Sequence, residues 1–178
     1  PTSPRMDPTP HYYTQHAAEF FHPTFGVDMA PIRQRFLARL PPGGHILDAG
    51  CGSGRDARAF AEAGFRVSAF DASAELARLA SAHCGFAVAQ RRFEDVDEVA
   101  QFDGIWCCAS LLHVPLADMP ATLARLWTAL RPGGTLYVSF KHGTGEREHG
   151  GRHFTDADEA QLRAWFGPMP AVTHPPEV

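Results

Sequence analysis

The sequence predicts an α/β fold, a doubly wound and mostly parallel sheet with helices on both faces. Three observations predict it. Short apolar segments alternate with amphipathic ones along the chain, two of the early apolar segments run into an aspartate, and a glycine-rich turn carries the first of them into a helix. Parallel strands need long crossovers, and crossovers of this length are helices lying on the sheet.

The 178 residues suffice for one domain with a substantial core. With 44% apolar and 20% charged residues, the composition is that of a soluble globular protein. A net charge of −4 argues against a nucleic-acid partner, because neutralising phosphates needs clustered Lys and Arg. No apolar run approaches the roughly 20 residues of a membrane span, and the start lacks the apolar stretch of a signal peptide. The expectation is a cytoplasmic protein, without membrane contacts, acting as a monomer or weak homodimer. Cys51, Cys84, Cys107 and Cys108 form no CxxC pair and read as free thiols of a reducing compartment. His149 and His153 flank a glycine loop unsuited to a helical ligand pair, so no metal site is expected. Residues 1–10, with four prolines, read as a disordered or vector-derived leader. Residues 11–178 read as one domain, with 11–40 as an N-terminal helical lid segment.

The elements follow in order. Tyr12 to His22 has a helical look, with Tyr13, Ala17, Phe20 and Phe21 on one face. A helix runs from Asp28 as cap to Leu40, with Pro31 in its first turn, and Pro41 to Gly44 stop it. His45 to Ala49 is the first strand. Gly50, Gly52 and Gly54 turn the chain into a helix closed by Gly64. Phe65 to Phe70 is a second strand ending in Asp71, and Ser73 caps the next helix. Phe86 to Ala89 and Phe102 to Ala109 read as strands three and four. Leu116 to Leu130 is a helix with Leu123, Leu126, Trp127 and Leu130 as its stripe, and Thr135 to Phe140 is the fifth strand. Lys141 to His153 reads as a polar glycine-rich loop. Thr155 opens a last helix, with Asp158 at capping-box spacing.

The informative stretch is His45-Ile-Leu-Asp-Ala-Gly-Cys-Gly-Ser-Gly-Arg-Asp56. Glycines crowd a turn where a ligand must approach the backbone closely, and the helix beyond it points its N–H groups at the ligand. A dinucleotide fingerprint would put a glycine at position 55, which is Arg. Asp48 would repel phosphate but receive a cationic amine, and Arg55 would pair with a carboxylate, so the pair suits a zwitterionic amino-acid tail. Asp71 ends the next strand, where a carboxylate accepts bonds from ribose hydroxyls. Ribose plus an amino-acid tail describes S-adenosylmethionine.

The sequence at this point resembles the class I, Rossmann-like S-adenosylmethionine-dependent methyltransferases over nearly its whole length. Leu47-Asp-Ala-Gly-Cys-Gly-Ser-Gly-Arg-Asp56 looks like their first motif and Ala69-Phe-Asp-Ala-Ser73 like their second. Phe102 to Pro115 looks like the fourth-strand motif, and Leu130-Arg-Pro-Gly-Gly-Thr-Leu-Tyr-Val-Ser-Phe140 like the fifth. Within that group the chain is most similar to small bacterial tellurite-resistance-type enzymes, through Tyr12-Tyr13, Phe20-Phe21, Asp28-Met29, Ala109 to Pro115 and Phe140 to Arg147. The resemblance implies that Gly50 and Gly52 line the methionine moiety, and Asp48, Cys51, Gly54 and Arg55 are expected in the same cofactor site. It implies further that Asp71 holds the ribose and Ala72 flanks the adenine, with Ser73 also at the cofactor. Phe93 and Glu94 would border the adenine edge, with Asp95 competing for that role, and Ala109 would offer backbone near the sulfonium. Tyr12 or Tyr13 would close a lid. The family's sheet ends in a hairpin that the proline-bearing tail after Phe166 leaves incomplete, apart from one short strand at 171–174.

The reaction implied is methyl transfer to a small, soft or anionic nucleophile, a thiol or a metalloid oxyanion such as tellurite or selenite. The basic residues between Lys141 and His153 would attract it, and His113 and Tyr13 are the catalytic candidates. The alternatives are methylation of an oxygen or nitrogen of a metabolite, for which His113 would be the base, and a non-catalytic cofactor-binding protein.

Overall fold

The computed structural model describes residues 28–169. The helices are α1 (Ala30–Leu37), α2 (Arg55–Glu62), α3 (Ala74–Cys84), α4 (Met119–Ala129) and α5 (Glu159–Phe166). The strands are β1 (His45–Ala49), β2 (Arg66–Asp71), β3 (Ala89–Gln90), β4 (Phe102–Cys107), β5 (Leu130–Val138), β6 (Glu146–His149) and β7 (Arg152–Thr155). Among the described residues the central sheet is β3-β2-β1-β4-β5, parallel throughout. The chain builds outward from β1 to β3, then crosses back to β4 on the other side. The carboxyl ends of β1 and β4 therefore splay apart at a switch point, where ligands bind in open α/β sheets.

Alternation along the strands supplies both faces of the core. Leu47 and Ile105 face one side with Phe102, Leu123 and Leu126, whereas their neighbours Ile46 and Trp106 face the other with Phe36 and Phe60. Trp106 stacks on Tyr137 with centroids 4.0 Å apart and meets the Phe60 ring edge-on. Gly104 lets α1 and the turn after it lie against β4, since a Cβ there would be 2.6 Å from Leu40 and 2.7 Å from Phe36.

Several boundaries move. The third strand is only Ala89–Gln90, because the Val88 N–H donates to the Ser81 hydroxyl and not to a neighbouring strand. The fourth ends at Cys107, and Ala109 turns into the left-handed region with φ 51°. A 3-10 turn at Leu116–Asp118 precedes α4, so that helix starts at Met119. The last helix opens at Asp158, whose carboxylate accepts the Gln161 N–H at 2.8 Å. Thr155 instead ends β7, with its hydroxyl donating to the Val114 carbonyl.

The stretch read as a polar loop contains a β-hairpin, β6 pairing β7 from Glu146–Thr155 to His149–Arg152. Gly150 and Gly151 turn it with φ 59° and 78°, the left-handed pair that matches strand twist in two-residue hairpins. A C-terminal antiparallel hairpin is thus present. It precedes α5 and forms its own two-stranded sheet instead of extending β5. The helix at Tyr12 to His22, the lid tyrosines and the strand at 171–174 lie outside the described residues.

Candidate active site

A cavity of about 570 Å³ opens at the switch point, within the range that holds small molecules. The glycine turn makes its floor. Gly50 and Cys51 both donate to the Phe70 carbonyl, at 3.0 and 2.9 Å, which ties the turn to the end of β2. Each glycine has its own reason. Gly50 has φ 75°, and a Cβ on it would lie 2.5 Å from the Ser110 Cβ. Gly54 has φ 82°, and a Cβ there would lie 2.8 Å from the Cys84 sulfur, so this glycine seats α2 against α3. Gly52 has φ 54°, but a Cβ would meet nothing within 4 Å; it faces the cavity.

These positions respond differently to alanine. Gly50→Ala is expected to cost about 2–4 kcal/mol through backbone strain and overlap. Gly52→Ala should cost only about 1–2 kcal/mol, while its methyl projects into the cavity and weakens ligand binding. Urea unfolding beside calorimetric titration with S-adenosylhomocysteine separates the two.

Asp48 lies inside β1, 2% exposed, and its Oδ2 accepts no hydrogen bond from a described residue. Burial first, then the carboxylates of Asp56 and Asp71, push its carboxyl well above the usual range. A cationic amine beside it would satisfy the orphaned oxygen and relieve that repulsion. Asp71 is also buried, and its carboxyl is raised by burial against the pull of two backbone donors. Its Oδ2 accepts the Gly52 N–H and its Oδ1 the Ser73 N–H, each at 2.9 Å. Each oxygen keeps a second lone pair for a hydroxyl. A buried carboxylate with one unpartnered oxygen, an open glycine and a preset diol acceptor fit S-adenosylmethionine.

Of the described residues expected at the cofactor, all line the cavity except Asp95 and Gly54, the latter lying behind the turn. The Ser73 hydroxyl is engaged as the cap of α3, accepting the Leu76 N–H. Phe93 meets Phe70 edge-on at 5.6 Å and walls the cavity beside Glu94. Asp95 does not reach it, because its carboxylate accepts the Arg92 N–H at 2.9 Å. Arg55 lines the cavity, yet its Nε and Nη2 both donate to the neighbouring Asp56 at 3.1 Å. Cys51 and Cys108 also line it as uncharged thiols, the first raised well above its usual value by burial and the second pushed up to about 11.

His113 lines the same cavity beyond the end of β4. Its Nδ1 lies 2.8 Å from the His153 carbonyl oxygen. A carbonyl only accepts, so Nδ1 carries the proton and the basic lone pair of the neutral ring is on Nε2. The hairpin supplies this bond and braces the segment further, through Thr155 on Val114 and the Glu146 carboxylate on the Leu116 N–H. The basic residues of that hairpin, and Lys141 before it, do not line the cavity. Lys141, Arg147 and Arg152 gather over the buried Phe154 ring at 4.6, 4.7 and 5.1 Å, and Arg147 forks onto Asp156. The expected anion-attracting cluster is a packing cluster. Tyr13 lies outside the described residues.

Two contributors escaped the sequence reading. Ser110 donates to the Ala49 carbonyl at 2.7 Å and so locks the end of β1 to the segment after β4. Asp56, 6% exposed, accepts from Arg33, Arg55 and Trp106. Their distant partners, 61, 23 and 50 positions away, give no local signal.

The chain is 35% identical over 118 residues to the ubiquinone biosynthesis O-methyltransferase of Xanthomonas campestris, a match covering 61% of this chain and 48% of that protein. It spans about half the length of the curated relatives it matches. The crystal structure of Burkholderia thailandensis 1,6-didemethyltoxoflavin-N1-methyltransferase, with its acceptor and S-adenosylhomocysteine bound, superposes with a TM-score of 0.69 at 27% identity. That match covers 94% of this chain and 80% of the other. A TehB-like methyltransferase from Corynebacterium glutamicum, at 23% identity and TM-score 0.64 over 76% of each chain, shares the fold. A methyltransferase-domain family model matches residues 20–175. With the glycine turn, the unpartnered Asp48 oxygen and the Asp71 acceptor at one cavity, the chain belongs to the class I S-adenosylmethionine-dependent methyltransferase family.

Proposed function

We propose that this chain methylates an oxygen or nitrogen of a small-molecule acceptor, with His113 as the base. The observation that carries this reading is the His113 ring on the cofactor cavity, with its Nδ1 proton held by the His153 carbonyl, which puts the lone pair of the neutral ring on Nε2. Bound S-adenosylmethionine supplies an already activated methyl group. Asp71 and the glycine turn would hold its nucleoside and tail, and the cavity walls would exclude water. His113 would accept the proton that a hydroxyl or ring nitrogen loses on methylation. The O- and N-methyltransferases among the relatives support this acceptor class.

The tellurite, selenite or thiol acceptor expected from the sequence draws less support. The cations meant to attract an oxyanion are packed on Phe154, and the likeness to the TehB-like structure is one of fold. Cytoplasmic placement belongs to the same reading, supported by four cysteines without disulfides. So does action on a small molecule, as a monomer or weak homodimer without nucleic acid, supported by the net charge of −4.

Methyl-labelled S-adenosylmethionine with a panel of phenols, ring nitrogens, thiols, tellurite and selenite tests the acceptor class. Turnover confined to phenols or ring nitrogens is the expected result. Turnover only on thiols or oxyanions overturns it, and cofactor binding without any turnover makes the chain a binding module.

A further inference from the structure

The parallel ladder between β4 and β5 stops short at Ser139. Its pairing runs to Cys107 opposite Val138, and the Ser139 N–H still donates to the Cys107 carbonyl at 3.2 Å. In a parallel pair the next bond would run from the Ala109 N–H to the Ser139 carbonyl. The Ala109 N–H donates instead to the Ser139 hydroxyl, at 2.6 Å. A side chain has replaced the main-chain acceptor of its own residue, the competition with secondary structure that short hydroxyl side chains can offer.

The exchange coincides with a strained backbone. Ala109 has φ 51°, in the left-handed region where an alanine Cβ crowds the following carbonyl oxygen. The turn puts this residue to use at the site. Ala109 is exposed and lines the cofactor cavity between Cys108 and Ser110, and the Ser110 hydroxyl ties the segment to the Ala49 carbonyl. Were β4 to run on, Ala109 would lie along β5 instead of at the cavity wall.

We infer that Ser139 is a positioning residue for the cofactor site: its hydroxyl takes the bond that its own carbonyl would otherwise accept, ends β4 and holds the Ala109 turn at the cavity wall. The inference rests on the S-adenosylmethionine reading of the cavity. Ser139 is not among the described residues that line the cavity, so it acts through Ala109. Without the hydroxyl, the carbonyl is the remaining ladder acceptor, and the chain regains a bond and sheds its strain by straightening. The form that binds the cofactor then becomes a minor one, and the apparent affinity falls with its population.

The test is titration calorimetry of the intact chain with S-adenosylhomocysteine. Ser139→Ala is expected to weaken binding by about tenfold, the scale on which alanine resists the left-handed region. Ala109→Gly alone should stay within about twofold of wild type. Added to Ser139→Ala, it should return the affinity to within about threefold, since glycine takes positive φ about as readily as negative. Ser139→Thr keeps the hydroxyl and should bind like wild type. A crystal structure of ligand-free Ser139→Ala should show Ala109 at negative φ, with its N–H donating to the carbonyl of residue 139. Thermal unfolding without ligand shows that each variant is folded. If Ser139→Ala is not, Ser139→Cys carries the comparison, because its sulfur is a weak acceptor. Unchanged binding in Ser139→Ala overturns the inference. So does a loss that Ala109→Gly fails to repair, which would reduce Ser139 to a structural tie. Wild-type protein that does not bind S-adenosylhomocysteine fails the cofactor reading itself, and this inference with it.

Discussion

Asp71→Ala is expected to weaken S-adenosylhomocysteine binding by about 10²–10⁴-fold. The size follows from two lost hydrogen bonds to a charged acceptor, roughly 1.5–3 kcal/mol each, with a factor of ten per 1.4 kcal/mol. The geometry explains why no neighbour compensates. Each Asp71 oxygen is already aimed by a backbone donor, Gly52 on one side and Ser73 on the other, so the diol acceptor is preorganised before any ligand arrives. Removing it also leaves the Gly52 and Ser73 N–H groups without their partner, in the turn and at the start of α3. The fold itself should lose only about 1–3 kcal/mol, because the alanine no longer buries a carboxyl that burial had raised. Thermal unfolding reads both effects. Ligand at about a hundred times its dissociation constant stabilises wild type by roughly 2.7 kcal/mol, a rise of about 5–10 °C for a domain of this size. The variant should show a modestly lower melting point and no ligand shift. A normal shift in the variant would mean that the nucleoside is held elsewhere.

His113→Ala is expected to lower kcat on an oxygen or nitrogen acceptor by about 10²–10⁴-fold, the usual contribution of a positioned base. Cofactor affinity should change little, since the reading assigns this residue to the acceptor's proton. The ring is half-buried against Phe154, with centroids 5.1 Å apart, so the alanine variant also loses packing. His113→Gln keeps a polar side chain at the site and separates packing from proton transfer. If kcat falls for both variants with S-adenosylhomocysteine binding intact, and the pH dependence of the wild-type rate disappears, His113 is the base. An unchanged rate on a phenol would remove it from the mechanism and return weight to acceptors that need no proton removed.

Much of the cofactor half of the site was legible because its signals are local. Gly50, Gly52 and Gly54 are needed where the chain must turn left-handed between β1 and α2, and an aspartate ending β2 is one residue read against strand periodicity. Ser73 as the cap of α3 was legible on the same ground. The hairpin was the largest local signal missed. Gly150 and Gly151 between short polar strands form a hairpin turn, but the flanking residues lack the apolar alternation that marks a strand. β6 is exposed, and the burial of β7 comes from docking Phe154 under the His113 segment, which no local pattern announces.

The sequence by itself determined the order of strands and helices from α1 to β5, the glycine turn and the two carboxylates that describe the cofactor, because each depends on neighbours a few residues away. Tertiary structure alone decided where the charges point. It drew Lys141, Arg147 and Arg152 onto Phe154 and away from the cavity, and it turned Asp95 back onto Arg92. It also gave His113 its tautomer through a carbonyl 40 positions away, and joined Arg33 to Arg55 through Asp56. The physical reason is common to all of these. A long charged side chain is placed by whichever buried partner it can reach after the sheet has formed, and that partner is set by packing and not by sequence distance.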